Sequence, residues 1–163
     1  MPRFMEGRLT EVSIHAVTAE DYDAAIGLVP GPEQQRFIAT NADSLAEAAQ
    51  NPSCRPMIIA AGGVPVGFAM AALDSDDGNE WIYRFMIDQR YQGRGYGAQA
   101  LDLLARQIFV DTGCPRIMLG VKPDNAAAIR LYERAGFRPA GFEFDGEIAF
   151  CMERSAFDLR STS

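Results

Sequence analysis

The sequence predicts an α+β fold built on a mostly antiparallel sheet of six to seven strands, with flanking helices and one parallel pair. Three observations carry this. Short apolar runs recur at residues 12–17, 57–61, 66–72, 81–87, 116–121, 140–144 and 148–153, some alternating with polar residues and some continuous. Neighbouring runs without a helical pattern between them read as antiparallel pairs, whereas the strand–helix–strand passage across 81–121 reads as a parallel crossover. A glycine-rich turn, Gln92-Gly93-Arg94-Gly95-Tyr96-Gly97-Ala98, lies inside that crossover.

Each element has a local reason. In the first run, Val12, Ile14 and Ala16 alternate with Ser13 and His15. Thr18, followed by Glu20 and Asp21, reads as the cap of a helix over 19–28, which Pro30-Gly31-Pro32 breaks. A second helical stretch covers 44–50. Gly62-Gly63 joins the next two strands, and the acidic, turn-rich loop 74–79 leads into the strand 81–87. Leu101, Leu104, Ala105 and Ile108 give a long helix to about residue 112. Asp124 reads as the N-cap of a further helix, with Gly136 at its left-handed C-terminal position, and Asp145-Gly146 reads as a hairpin turn. Residues 1–8 read as a loose leader and 9–163 as a single domain.

Composition narrows the function. A chain of 163 residues, 48% hydrophobic, can bury a substantial core. No apolar run approaches the roughly 20 residues needed to span a bilayer, so no membrane role is expected. A net charge of −7 disfavours nucleic acid, whose recognition rests on clustered Lys and Arg, and mildly favours a cationic small molecule. Cys54, Cys114 and Cys151 are irregularly spaced and form neither a disulfide framework nor a metal set. They read as reduced thiols of a cytoplasmic protein. With one histidine, His15, neither a zinc site nor a Ser-His-Asp triad can be assembled, and no metal is expected.

The glycine turn is the strongest functional signal. Gly93, Gly95 and Gly97 can take positive φ and let a ligand approach the backbone. Free N–H groups in the first turn of the following helix favour an anion there, and Arg94 adds a cation. The pattern is neither a dinucleotide fingerprint, because the third glycine comes one residue early, nor a Walker loop, because no Gly-Lys pair exists. A pyrophosphate of another kind is expected.

A second motif, from Asp124 to Phe137, sets Asn125 and Tyr132 two helical turns apart on one face. Together the segments resemble the acetyl-CoA signature of the GNAT superfamily of N-acetyltransferases. The first matches at Gln92, Gly95 and Gly97, and the second at Asn125, Ala128, Leu131, Tyr132, Gly136 and Phe137. Arg84-Phe85-Met86-Ile87-Asp88, the tail from Gly141 to Glu147, and upstream Phe37 to Asn41 and Ser44 to Ala48 look most like bacterial spermine/spermidine acetyltransferases. The similarity runs from Leu9 onward.

The resemblance implies a GNAT-like sheet whose parallel pair splays apart to receive acetyl-CoA. Backbone groups of Phe85, Met86 and Ile87 would bind its pantetheine. Gln92, Gly93, Arg94, Gly95, Tyr96, Gly97 and Ala98 would form the pyrophosphate cradle, with Asn125 and Ala128 on the other side. It implies acetyl transfer to a primary amine such as spermine or spermidine, with Tyr132 as general acid toward the departing thiolate. An aminoglycoside, an amino acid, a protein N-terminus, or an idle acyl-CoA-binding module remain the alternatives. The amine must lose a proton, and a backbone N–H must meet the developing oxyanion. Glu80 is a candidate base through a water chain, or it merely ends the acidic turn. Glu33, Glu47, Trp81, Tyr83 and Glu147 are the candidate acceptor-binding residues, offering charge pairing and cation–π contact. A homodimer is the one protein partner considered.

Overall fold

A computed structural model of the chain describes residues 10–35 and 39–162. The expected leader and the Phe37-Ile38 part of the upstream similarity lie outside the described residues. Seven strands form one sheet: β1 (Val12–Ala16), β2 (Arg55–Ala61), β3 (Val64–Leu73), β4 (Glu80–Ile87), β5 (Arg116–Val121), β6 (Arg138–Phe144) and β7 (Glu147–Glu153). Their spatial order is β1-β2-β3-β4-β5-β7-β6, and every pairing is antiparallel except β4 with β5. The helices are α1 (Tyr22–Gly27), α2 (Asn41–Gln50), α3 (Tyr96–Thr112), α4 (Ala126–Ala135) and α5 (Arg154–Thr162).

Both faces of the sheet's centre are covered, which is why β2 and β3 read as continuous apolar runs rather than alternating ones. On one face, Ile59, Ala69 and Ile82 pack with Leu101, Leu104 and Ile108 of α3. On the other, Ile58, Phe68 and Met86 pack with Ala25 and Leu28 of the α1 segment and Leu45 of α2. A third cluster joins Trp81, Met118 and Ala149, with Phe144 packed edge-on to Trp81 at 5.3 Å between ring centroids.

Several local expectations change. The helix over 19–28 is shorter: Ala19–Asp21 is a 3₁₀ turn and the α-helix runs only from Tyr22 to Gly27. The Asp21 carboxylate takes hydrogen bonds from Thr18 N–H (2.8 Å) and hydroxyl (3.1 Å), so the cap tightens the entry turn. The N-cap of α4 is Asn125, not Asp124, because the Asn125 side chain accepts from Ala128 N–H (3.3 Å). α2 begins three residues earlier than its apolar pattern, at Asn41, with Thr40 accepting from Asp43 N–H. α5 was not foreseen: its sequence is predominantly polar, and it docks through Phe157 on Phe109, 5.0 Å between centroids.

Two irregularities shape the centre. The β3–β4 register shifts between Met70↔Arg84 and Ala71↔Ile82, leaving Tyr83 as an inserted residue, a β-bulge. The parallel β4–β5 ladder runs Glu80↔Ile117, Trp81↔Met118 and Ile82↔Leu119 and stops at this bulge. β5 continues to pair with β7 as far as Val121. From Tyr83 to Ile87, β4 therefore has a free edge facing the gap between the two parallel strands, which is the splay the resemblance implied.

Candidate active site

The gap is lined from three directions. β4 contributes Phe85, Met86 and Ile87. The glycine turn contributes Gln92, Gly93, Gly95, Tyr96 and Gly97, and α4 contributes Asn125, Ala128, Leu131 and Tyr132. Together they enclose a cavity of about 210 Å³, with Pro30 and Gln34 at its rim. Gly93 (φ +79°) and Gly95 (φ +82°) use the left-handed region closed to most side chains. Gly97 does not: it is helical, and a Cβ there would meet Leu131 and Ile87 side chains at 3.7 Å. Its part is to leave cavity space, not to turn the chain.

α3 starts at Gly95 with no side-chain cap and no acidic residue in its first turn. The first amide with an intrahelical partner is Gln99, bonded to Gly95 carbonyl at 3.2 Å. The N–H groups of Tyr96, Gly97 and Ala98 thus stand free at the positive end of a 17-residue helix, an arrangement suited to a pyrophosphate. Gln92 works indirectly. Its amide donates to Ile87 carbonyl (2.9 Å) and to Gln34 (3.0 Å), tying the turn to the end of β4 and to the segment after α1. Arg94 and Ala98 are exposed and do not line the cavity. The Arg94 guanidinium lies 5.7 Å from the centre of the Tyr91 ring at its mouth.

A second cavity, about 360 Å³, opens on the other side of β4. Trp81, Tyr83, Arg84, Phe85, Tyr132, Phe144 and Glu147 line it, with Gly120 in its floor. Phe85 and Tyr132 belong to both cavities, so the two meet there. Burial pushes the Tyr132 phenol up to about 12, and the Glu147 carboxylate adds to the shift. Burial, with Asp74 beyond, also pushes the Tyr83 phenol up. Gly120 seats Glu147: a Cβ there would meet Glu147 Oε1 at 2.3 Å and the Phe144 ring at 2.6 Å.

The structure brings Trp81, Tyr83 and Glu147 together but not the other candidate acceptor residues. Glu33 is exposed and lines neither cavity. Glu47 faces Arg84 (3.6 Å), so its charge is offset by a cavity residue rather than free. Glu80 moves furthest from its expected role. Its carboxylate is buried and ion-paired with Arg55, and strand alternation puts it on the opposite face of β4 from Trp81. It lines neither cavity, which removes it as the base.

Three further positions, to which the sequence reading gave no role, brace the cavities. Asp88 is fully buried and accepts from Arg90 N–H and Nε (both 2.8 Å) and from Val29 N–H (3.0 Å), joining the glycine turn to the segment after α1. Burial works against its ionisation, but these hydrogen bonds outweigh it and hold the carboxyl below the usual carboxylate range. Asn41 donates to the carbonyls of Ala25 (2.8 Å) and Leu28 (3.0 Å), fixing α1 to α2 beside the cavities. Gly120 carried a legible signal, an isolated glycine inside a strand pattern, which marks close approach.

A strand-edge gap, a bare helix N-terminus and a tyrosine shared by two cavities together suit an elongated anionic ligand that meets a second molecule at Tyr132. The chain matches the acetyltransferase (GNAT) family over residues 14–137. It is 34% identical over 149 residues to the spermine/spermidine N(1)-acetyltransferase of Bacillus subtilis, covering 88% of this chain and 95% of that protein. It is 28% identical over 120 residues to an aminoglycoside N(6')-acetyltransferase of Klebsiella pneumoniae, covering 65% and 60%. The fold is shared with the aminoglycoside acetyltransferase AAC(6')-Ib solved with coenzyme A (TM-score 0.78, 24% identity, 94% and 100% covered). It is shared too with a Vibrio cholerae spermidine N-acetyltransferase solved with CoA and spermine (TM-score 0.72, 14% identity, 90% and 97% covered). The chain belongs to the GNAT acetyltransferase family and is an acetyl-CoA-dependent N-acetyltransferase. Among the described residues, no helix is long and apolar enough to cross a membrane.

Proposed function

We propose that the enzyme acetylates a primary amine of a polyamine, spermine or spermidine, by direct attack, with Tyr132 as the general acid. The observation that carries this is the meeting of the two cavities at Phe85 and Tyr132, with Glu147 as the carboxylate on the acceptor side. Similarity to the Bacillus subtilis spermine/spermidine acetyltransferase over 88% of the chain supports the polyamine.

In this reading the free edge of β4 at Phe85, Met86 and Ile87 receives pantetheine, and the amides of Tyr96, Gly97 and Ala98 take the pyrophosphate, with Arg94 beside them. Bound acetyl-CoA supplies the thioester carbon that the amine attacks. Glu147 draws the ammonium to the seam, where aromatic faces of Trp81, Tyr83 and Phe144 add cation–π attraction. Only the neutral amine has a lone pair, so a proton leaves toward Glu147 or water before the N–C bond forms. As the C–S bond breaks, the Tyr132 hydroxyl donates to the sulfur.

The phenol near 12 has a consequence for this step. Tyr132 is protonated at neutral pH, as an acid must be, but it is weaker than a thiol of ordinary pKa about 8.5. A cation docked at Glu147 cancels the carboxylate's part of that shift and strengthens the acid when the acceptor is present.

Measuring CoA-thiol release over a panel of polyamines, monoamines, amino acids and aminoglycosides tests the assignment. Spermine and spermidine are expected to give the highest kcat/KM. Tyr132→Phe is expected to lower kcat by roughly 10²- to 10⁴-fold with little change in the KM for acetyl-CoA. Preference for a neutral-bodied amine would refute the polyamine, and normal turnover by the phenylalanine variant would refute the acid.

A further inference from the structure

The second cavity has two charged residues on its walls, Arg84 and Glu147. Their surroundings differ. Arg84 is held on three sides: Nε donates to Ser44 hydroxyl (3.0 Å), Nη1 donates to Tyr83 carbonyl (2.8 Å), and Nη2 lies 3.6 Å from Glu47. The second of these contacts satisfies a carbonyl of the bulge residue, so the guanidinium is fixed to the backbone of the cavity wall. Its side chain is 25% exposed and that of Glu47, which does not itself line the cavity, is 45% exposed, so solvent reaches the pair. Glu147 sits in the floor, against Gly120 and beside Tyr132. No ion pair involves it among the described residues.

We propose that this cavity admits one ammonium, at Glu147, and that Arg84, offset by Glu47, turns a second cation away from the cavity. The acceptor is then an amine whose remaining positive charges lie beyond the cavity: the terminal arm of a long polyamine, and not a short diamine. The inference rests on the acceptor reading above and adds a rule of charge spacing to it. Arg84 acts as a specificity residue by repulsion, discrimination against an unwanted substrate rather than attraction of the right one. The Glu47 carboxylate keeps this repulsion from also rejecting the first ammonium as it passes.

The test is a series of α,ω-diamines with three to eight methylenes, each assayed with acetyl-CoA by thiol release. The readout is the ratio of kcat/KM between the longest and the shortest. In the wild type this ratio is expected to be roughly tenfold or more, the scale of repulsion between like charges a few ångströms apart near a protein surface. Arg84→Met is expected to bring it to within about twofold. Glu47→Gln, which leaves the guanidinium uncompensated, is expected to raise it above the wild-type value, and high salt is expected to shrink it.

These opposite signs separate charge from structure. If Arg84→Met fails to fold because Tyr83 carbonyl loses its donor, Glu47→Gln on the half-exposed face of α2 still decides the question. A flat wild-type series, or a slope unchanged in both variants, overturns the inference while leaving the acetyltransferase reading intact. A maximum at one intermediate length that disappears in Glu47→Gln also overturns it, since the second ammonium would then sit on Glu47. Absence of turnover with every amine overturns the functional reading and the spacing rule with it.

Discussion

Gly120→Ala isolates the acceptor side of the site from the CoA side. The new Cβ would lie 2.3 Å from Glu147 Oε1, and 2.6 Å and 3.2 Å from two atoms of the Phe144 ring. Restoring ordinary contact requires the carboxylate to retreat by roughly 1 Å. The carboxylate is the far end of a flexible side chain and can yield. Phe144 is braced edge-on against Trp81 and yields less. The overpacking cost is therefore expected within the usual range of about 1–3 kcal/mol, each kcal/mol lowering Tm by about 2–4 °C for a chain of this size. The functional cost is separate. A displacement of about 1 Å in a group that positions the reacting nitrogen costs as much as 10²-fold, so kcat/KM for the amine is expected to fall roughly 10- to 100-fold. The KM for acetyl-CoA stays put, because Gly120 does not line the first cavity. Thiol-release kinetics with each substrate varied in turn, beside a thermal melt, give both numbers. A variant with an altered melt and unchanged amine kinetics would show that Glu147 is only a hairpin residue.

Gly97→Glu is expected to weaken acetyl-CoA binding by 100-fold or more in calorimetry, since a carboxylate at a helix N-terminus competes with the pyrophosphate. The melt should hold or rise, because Gly97 is already helical and the replacement improves helix propensity; unchanged affinity in a folded variant would move the cradle elsewhere. Tyr132, raised from 10 to about 12, binds its proton more tightly in the folded state, so its stability contribution is complete below pH 10 and is lost as pH rises through 12. Wild type should therefore lose about 2–3 kcal/mol relative to Tyr132→Phe over that window, and equal alkaline stability curves would contradict the burial of the phenol. Asp88 is shifted the other way, so its contribution is present above the ordinary carboxylate pKa and disappears as pH falls through the lowered value. Asp88→Asn should cost about 2–4 kcal/mol at neutral pH and remove that acid-side loss; a neutral effect on both would show that Val29 and Arg90 find other partners.

The parts of this protein that could be read in its sequence are those with a local cause. The seven strands, the left-handed glycines at Gly93 and Gly136, the long amphipathic helix and the Asp145-Gly146 turn depend on neighbours within a few residues, and they appear where periodicity and turn chemistry put them. The α4 cap shifted by one residue because Asp124 and Asn125 are both good caps, and only the backbone decides which carbonyl group closes the ring. Glu80 shows where local reading fails. Its position at the head of the strand leading to the glycine turn looked catalytic, but which face of β4 it occupies depends on sheet register, and its partner Arg55 is 25 residues distant in sequence. Asp88 and Asn41 were hidden for the same reason: although Arg90 is local to Asp88, the Val29 amide it also holds, and the Ala25 and Leu28 carbonyls that Asn41 holds, are brought near only by the fold.

The bulge at Tyr83 connects these observations. An unbroken β4 would pair with β5 along its length, fill the gap and leave no edge for a CoA arm. A β4 with no bulge, alternating strictly through residue 83, would also put Trp81, Tyr83 and Phe85 on one face. With the bulge, Trp81 and Tyr83 line the acceptor cavity while Phe85 and Ile87 pack toward α3, and Phe85 reaches the seam of both cavities. One extra residue thus opens the strand and directs its side chains to opposite faces. The guanidinium that satisfies the bulge carbonyl, Arg84, is the same group that faces the acceptor cavity with Glu47 at its back. Shape and charge selection at the acceptor side therefore share a cause. Closing the bulge by deleting Tyr83 would be expected to abolish acetyl-CoA binding and amine selectivity together, whereas Gly120→Ala and Gly97→Glu each remove only one.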